Sequence, residues 1–380
     1  MPPPESQPLQ DARQIGLLGD VHGDLLALTA AADFQAALGV RVLVQLGDLG
    51  LLLDNGHWQD DVAAVSQHLA AQGQTLYWVD GNHEDFNILS SFPVDKDGLR
   101  RIAPNILHMP RGYRTVLSSG KDLTVCGGAN SIDIETRSVT TWWPQEAITA
   151  DDLAALGDAH ADILLGHDAP LHVIALDAAL AATDKLWTPT ALAYARQGRA
   201  MLHRALLQTM PELYLGGHYH RHIDEVAGYV STDAACATRV VLLDMVQHAA
   251  STAAAILDTQ TLELQFFTYY GTPRPPAPPQ ATALTLASEG RWMVHTTGSR
   301  HLFDFEISEF GFRISGFGFR DASSFLGRSS ISGLGWERNR SLSWGLVTTT
   351  ERRDEVVWLG RTERQAQESV MIYWLATGNR

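Results

Sequence analysis

The chain has 380 residues, 45% of them apolar, which suffices for one large or two smaller domains with a sizeable core. Its formal net charge of -15 is uneven: 12 of the 28 basic residues but only 11 of the 43 acidic ones follow residue 283, so the excess of acid lies in the first part. Such a surface is a poor general platform for nucleic acid, whose phosphates demand Lys and Arg, and no apolar run of about 18 residues marks a membrane span.

Residues 1–13 are rich in Pro and Gln and read as a disordered lead-in, without the basic and apolar regions of a signal peptide. Gln14 to Leu18 reads as a short buried strand ending in GDVHGD, residues 19–24. There Asp20 and His22 stand two apart at a strand end, where both can point at one cation, and Gly19 and Gly23 allow a sharp turn. Asp24 to Leu38 has helical spacing and stops at Gly39. Val40 to Leu46 is a second strand, delivering Asp48. His57 to Gln72 is a helix, with Gly73 as its stop. Thr75 to Val79 is a third strand, delivering Asn82 and His83. This alternation predicts a parallel α/β sheet with a site at the carboxyl ends of its strands.

Tyr113 to Leu117 and Leu123 to Cys126 read as strands around a turn. An irregular stretch, Ala129 to Pro144, carries Asp133, Arg137, Trp142 and Trp143. Thr149 to Gly157 reads as a capped helix, Ile163 to Leu165 as a strand delivering His167, and Thr190 to Met210 as a helix. Leu213 to Leu215 delivers Gly217-His218-Tyr219-His220. Val226 to Tyr229, Arg239 to Met245, Ala253 to Asp258 and Thr261 to Tyr269 read as antiparallel strands closing a domain over residues 14–270. Cys126 and Cys236 sit in apolar, strand-like contexts and read as buried free thiols, which fits a reducing cytoplasm. A Pro-rich linker follows at 271–283. Residues 284–380 carry Arg, Ser, Gly and aromatics without Lys, and read as a small β-rich domain.

The ligand-bearing turns define a chemistry. Asp20, His22 and His220 can hold one cation; Asn82, His167 and His218 can hold a second; Asp48, with two oxygens, is a natural bridge. Mixed oxygen and imidazole donors suit two divalent ions such as Mn, Fe or Zn better than Ca or Mg. Two cations roughly 3.5–4 Å apart acidify a shared water and clamp a phosphoryl oxygen. A bridging hydroxide then attacks phosphorus in line, and His83 is placed to protonate the leaving group. Glu84 or Asp54 is a candidate to orient that ring. Arg137 is the best candidate for a substrate-phosphate clamp, against a competing reading as an ion pair with Asp133 or Glu135. Trp142 and Trp143 read as anchors of the loop rather than as a shelf for a nucleobase, and His222 as a solvent or core histidine.

The ordered blocks GDVHGD, GDLG, GNHED, GHDAP and GHYH resemble the calcineurin-like metallophosphoesterase superfamily, over roughly residues 13–270. The resemblance implies an α/β fold, a β-sandwich flanked by helices with a dinuclear site at one edge, and the ligand roles just given, Asn82 also facing substrate. The stretch GGANSIDIETRSVTTWWPQE further resembles small bacterial and phage members. The chain departs from the Ser/Thr protein phosphatases, which follow the bridging Asp with D-R-G; here the sequence is GDLGLLLDNG, without the Arg. The expectation is a cytoplasmic enzyme acting on a small phosphomonoester. The alternatives are a phosphodiesterase acting on nucleotides or nucleic-acid ends, and a metal-bound scaffold recruiting a partner through the C-terminal domain. The oligomeric state stays open.

Overall fold

The computed structural model describes residues 8–274, apart from 55, 139, 231–234 and 248, and eight strands between 283 and 375. The chain divides into two compact units, Met1–Glu225 with Arg239–Pro278, and Val226–Thr238 with Pro279–Arg380. In order, the first part runs β1 (Gln14–Leu18), α1 (Leu25–Ala37), β2 (Val42–Gln45), α2 (Trp58–Ala71), β3 (Thr75–Trp78), α3 (Phe86–Ser91), β4 (Arg100–Ala103) and β5 (Ile106–His108). There follow β6 (Arg114–Val116), β7 (Asp122–Cys126), α4 (Ala150–Leu156), β8 (Ile163–Gly166), α5 (Ile174–Thr183), α6 (Pro189–Thr209) and β9 (Leu213–Gly216). Last come β10 (Ile223–Val230), β11 (Ala235–Leu242), β12 (Ala254–Asp258), β13 (Leu264–Phe267) and β14 (Pro273–Arg274).

These strands form two sheets. One has the order β14-β13-β12-β1-β2-β3-β5-β4, with β1, β2, β3 and β5 parallel; the other has the order β10-β11-β9-β8-β7-β6. The single parallel sheet expected from the strand–helix alternation is therefore corrected to a sandwich, as the family likeness implied. Alternation shows that strands are parallel but not which sheet each one joins. The parallel strands are mostly apolar because both faces are buried. Ile15, Leu17, Val44 and Tyr77 face the second sheet's Val125, Leu165, Leu213 and Leu215 in one core. Their neighbours Leu18, Leu43, Leu76 and Trp78 pack with Leu28, Val65 and Leu69 of α1 and α2 in another.

The helix starts are fixed by side chains. Asp24 accepts from Ala27 N (3.0 Å) at α1, and Asp85 accepts from Asn87 N and Ile88 N at α3. Thr149 and Asp152 form a reciprocal capping box at α4. The sequence reading passed over α3, β4, β5 and α5. The first three are short, and α5 is Ala-rich with Leu176 as its buried residue, so its spacing shows no apolar stripe. Among the described residues no helix is long and apolar enough to cross a membrane. Cys126 is buried and Cys236 half-buried, and both are free thiols.

Two boundaries move. Residues 1–7 of the expected lead-in lie outside the described residues, but Leu9–Asp11 forms a 3-10 turn. Leu9 is buried in the inter-sheet core, and its N–H donates to the Tyr77 hydroxyl at 3.1 Å. At the other end Pro273–Arg274 pairs with β13, so the expected linker begins inside the sheet, while 275–282 lie outside the described residues. Beyond it β15 (Ala283–Ser288), β16 (Arg291–Thr296), β17 (Ser299–Ser308) and β18 (Gly311–Arg320) form one antiparallel four-stranded sheet. A second is formed by β19 (Gly335–Arg338), β20 (Ser343–Thr350), β21 (Arg353–Gly360) and β22 (Met371–Leu375). The β-rich character expected there is observed.

Because Leu215 is fully buried between the sheets, Leu215→Ala should destabilise the protein by about 2–5 kcal/mol in denaturant unfolding. Val116→Ala, at an exposed position, should stay within about 0.5 kcal/mol.

Candidate metal centre

Every turn that carries a candidate ligand follows the carboxyl end of a strand. Asp20 and His22 follow β1, Asp48 follows β2, and Asn82 and His83 follow β3; His167 follows β8, and His218 and His220 follow β9. The first sheet thus supplies three turns and the second sheet two. His22, Asp48, His218 and His220 all have positive φ, between 48° and 68°. That region is sparsely used by non-glycine residues and is held only where surroundings fix it.

The glycines beside these residues are there for space. A Cβ on Gly81 would lie 2.1 Å from Asp48 Oδ1, one on Gly217 2.2 Å from Asp20 Oδ1, and one on Gly47 2.3 Å from His167 Nδ1. Gly19, expected to serve a sharp turn, instead lets the Asp244 carbonyl approach to where its Cβ would be. Gly23, with φ 75°, does have the conformational role. Gln45, the one polar side chain in β2, ties two turns together. It donates to Gly19 O at 3.1 Å and to Gly47 O, and accepts from Gly47 N. A lone Gln in an apolar strand was its only signal in the sequence.

The predicted ligands come together in three overlapping groups: Asp20–His22–His220, Asp48–His167–His218 and His22–Asp48–His83, the donor atoms of each lying within 4.8 Å of one another. His220 Nε2 is 3.2 Å from Asp20 Oδ2, and His22 Nε2 is 2.9 Å from His220 Nε2. His167 Nε2 is 3.3 Å from Asp48 Oδ2 and 3.2 Å from Asn82 Oδ1. Asp48 Oδ2 also lies 3.9 Å from His22 Nε2, between the two sets.

This donor set fits a pair of divalent cations. Asp20 and Asp48 are buried carboxylates, which need positive partners, and imidazole lone pairs converge on the same space. His167 Nδ1 lies 2.7 Å from the Leu46 carbonyl, so it can donate there and leave Nε2 to ligate. Burial alone would lower the pKa of His167, but the Asp48 carboxylate overcomes it and pushes the imidazole up to about 10. Burial holds His218 well below its ordinary range, hence neutral.

His83 and Arg137 meet. Arg137 Nη2 is 3.2 Å from His83 Nδ1 and 2.5 Å from His83 Nε2. The same guanidinium donates from Nε to Asp133 (2.8 Å) and from Nη1 to the Thr141 carbonyl. Arg137 thus forms the ion pair with Asp133 that one sequence reading gave it, and it also lies against His83. Glu84 does not orient the His83 ring as expected. Its Oε1 accepts from Leu49 N at 2.9 Å, bracing the turn after Asp48, and burial pushes its carboxyl up to about 8. Asp54 is exposed. Trp143 is buried in the helix-side core, which agrees with its reading as an anchor. His222 lies against Phe266, half-buried.

A family model described as calcineurin-like phosphoesterase matches residues 13–222. The chain belongs to that family and is a metal-dependent phosphoesterase. Among solved structures it is similar to the protein TT1561 of Thermus thermophilus, at 16% identity over 68% of this chain and 99% of that one, with a TM-score of 0.39. It is similar to a dimetal phosphatase from Danio rerio, at 14% identity over 67% and 95%, with a TM-score of 0.41. A third, an archaeal phosphodiesterase, shows 11% identity over 67% and 98%, with a TM-score of 0.31. No curated protein matches the sequence.

Binding of a cation through His167 Nε2 would displace the proton that Asp48 favours on this imidazole by pushing it up to about 10. Apparent affinity for Mn should therefore rise with pH, by about tenfold per unit between roughly pH 7 and 9, with proton release. Calorimetric titrations in buffers of different ionisation enthalpy would measure both.

Proposed function

We propose that the chain hydrolyses small phosphomonoesters at a dinuclear centre of Mn, Fe or Zn ions, within a catalytic domain spanning residues 14–270. Asp20, His22 and His220 would hold one ion and Asn82, His167 and His218 the other, with Asp48 between the two sets. The ions would supply Lewis-acid stabilisation of the phosphoryl group and an acidified water for in-line attack.

The observation that carries the substrate class is Arg137 on the His83 ring. A monoester phosphate brings two negative charges and calls for an extra cation beyond the metals. Arg137 supplies it: Asp133 and Thr141 hold its Nε and Nη1 in place, and Nη2 turns from the imidazole to a phosphate oxygen when substrate enters. Burial drags His83 down to about 4; Asp48 opposes this and the Arg137 charge adds to it, so the ring is neutral at pH 7 before substrate binds. A dianionic phosphate beside it raises its proton affinity, and moving Arg137 onto that phosphate frees the ring nitrogen. His83 then takes up a proton from solvent, becoming imidazolium, and passes it to the leaving oxygen. A monoanionic diester provides less of this recharging. Arg137 would thereby offer the phosphate a cation in a chain that lacks the D-R-G arginine.

Turnover of p-nitrophenyl phosphate should exceed that of bis-p-nitrophenyl phosphate in Mn-loaded protein and stop on chelation. His83→Ala should keep the metals and lower turnover of a monoester with a poor leaving group, such as an alkyl phosphate, by about 100-fold or more; unchanged turnover of that ester would remove the role. Arg137→Ala should raise KM for the monoester more than for the diester. Preference for the diester would instead assign a phosphodiesterase of nucleotides or nucleic-acid ends. Two bound metals with no turnover of either ester would favour the scaffold reading.

A further inference from the structure

Asn82 is an unusual cation ligand because its side chain has two nearly equal ends. Only the Oδ1 end can ligate; the Nδ2 end repels a cation. In the structure Oδ1 lies on the His167 side of the amide, at 3.2 Å, and Nδ2 points the other way, donating to Ser131 Oγ at 3.0 Å. Ser131 lies 49 residues along the chain from Asn82. Its hydroxyl hydrogen is committed elsewhere, to Glu146 Oε2 at 2.6 Å. The other carboxylate oxygen, Oε1, receives Ser131 N at 2.9 Å and the Tyr194 hydroxyl of α6 at 3.0 Å. Ser131 and Glu146 are fully buried, and Asn82 is 2% exposed, so no bulk water substitutes for any of these bonds.

The chain of bonds has one direction. Burial pushes the Glu146 carboxyl up, and the donors that converge on it oppose this only in part; yet Ser131 N and the Tyr194 hydroxyl both meet Oε1 and the Ser131 hydroxyl meets Oε2, an arrangement that uses both oxygens as acceptors. An acceptor there forces Ser131 to donate to it and leaves the hydroxyl lone pair for Asn82. A lone pair facing Asn82 in turn requires the NH2 end.

We propose that Ser131 and Glu146 are positioning residues that lock the Asn82 carboxamide with its oxygen toward the second cation. The proposal rests on the two-cation reading above, in which Asn82, His167 and His218 hold that ion. Neither residue touches the ions or the substrate; both act through Asn82, as hydrogen-bonded partners orient the ligands of other metal sites.

Glu146→Gln isolates this role because it keeps shape and reverses polarity. Ser131 N and Tyr194 both donate to the Oε1 position, so the Gln carbonyl must take that place and its NH2 must face Ser131 Oγ. The hydroxyl then accepts from the Gln and donates to Asn82, which is satisfied only if the Asn82 amide turns over and presents its NH2 to the cation. Ser131→Ala removes the link without reversing it.

The experiment is titration of the metal-free, full-length protein with Mn²⁺, followed by calorimetry and by the electron paramagnetic resonance of coupled Mn pairs. Wild type, Ser131→Ala, Glu146→Gln and Asn82→Ala would be compared, with metal-free melting curves alongside. The expected result is two ions in wild type. In Glu146→Gln and Ser131→Ala one of the two affinities should fall by about 10- to 100-fold, with the other unchanged and the pair signal weakened at limiting Mn. The metal-free melting of Glu146→Gln should stay near that of wild type, which separates loss of orientation from loss of fold; if it does not fold, Ser131→Ala carries the comparison. Wild-type affinities in Glu146→Gln, or in Ser131→Ala, with one site weakened in Asn82→Ala, would overturn the proposal alone. Wild-type affinities in Asn82→Ala would overturn the ligand assignment on which it rests.

Discussion

Asp48 is a buried carboxylate on a left-handed residue, and the site closes around it. Its backbone oxygen accepts from Val21 N and His22 N, which fixes the turn after β1. Its Oδ1 accepts from His83 N at 2.7 Å, which fixes the turn after β3. Its Oδ2 faces His167, which belongs to the other sheet. A charge so enclosed is costly unless every lone pair is answered, so the need to satisfy it dictates backbone paths on both sides of the sandwich. Asp20 plays the parallel part, for both of its oxygens accept from His218 N at 3.1 Å. The two carboxylates tie the sheets together at the edge where the chemistry is placed.

Much of this could be read from the chain. Ligand residues directly after apolar runs gave the strand ends, and glycine beside each ligand marked turns where something approaches closely. The physical reason was legible only in part. Gly81 and Gly217 look like turn residues in the sequence, yet neither has a positive φ; they are small because Asp48 and Asp20 occupy the space a Cβ would take. The assignment of strands to two sheets was not legible from spacing, since β7, β8 and β9 have the same buried, parallel character as β1 to β3. Short or low-contrast elements, α3 and α5 among them, lacked a period to detect.

Bonds between distant segments were the least legible of all. Ser131, Glu146 and Tyr194 are ordinary residues in an irregular stretch and on a helix, and only folding sets them in line behind Asn82. Arg137 was visible as a cation in that loop, but its meeting with His83 spans 54 residues. Glu84 shows the converse case. Adjacent to His83 in the chain, it turns the other way and braces Leu49. Chain neighbours at a strand end point to different sides, so adjacency was a poor guide to partnership.

The split of ligands between the sheets also sets an order in time. Asp20 waits for His218 across 198 residues; His220 follows directly, and His167, though earlier than both, comes well after the turns of the first sheet. While the polypeptide is being made from its amino end, the turns of Asp20, His22, Asp48 and Asn82 exist first as an open half-site of oxygens and the imidazoles of His22 and His83. It becomes a mixed-donor pair of pockets only once residue 220 has left the ribosome and β8 and β9 have closed over it. The imidazole share of the candidate donor set, which would favour a borderline cation over Mg, therefore arrives late, with His167, His218 and His220.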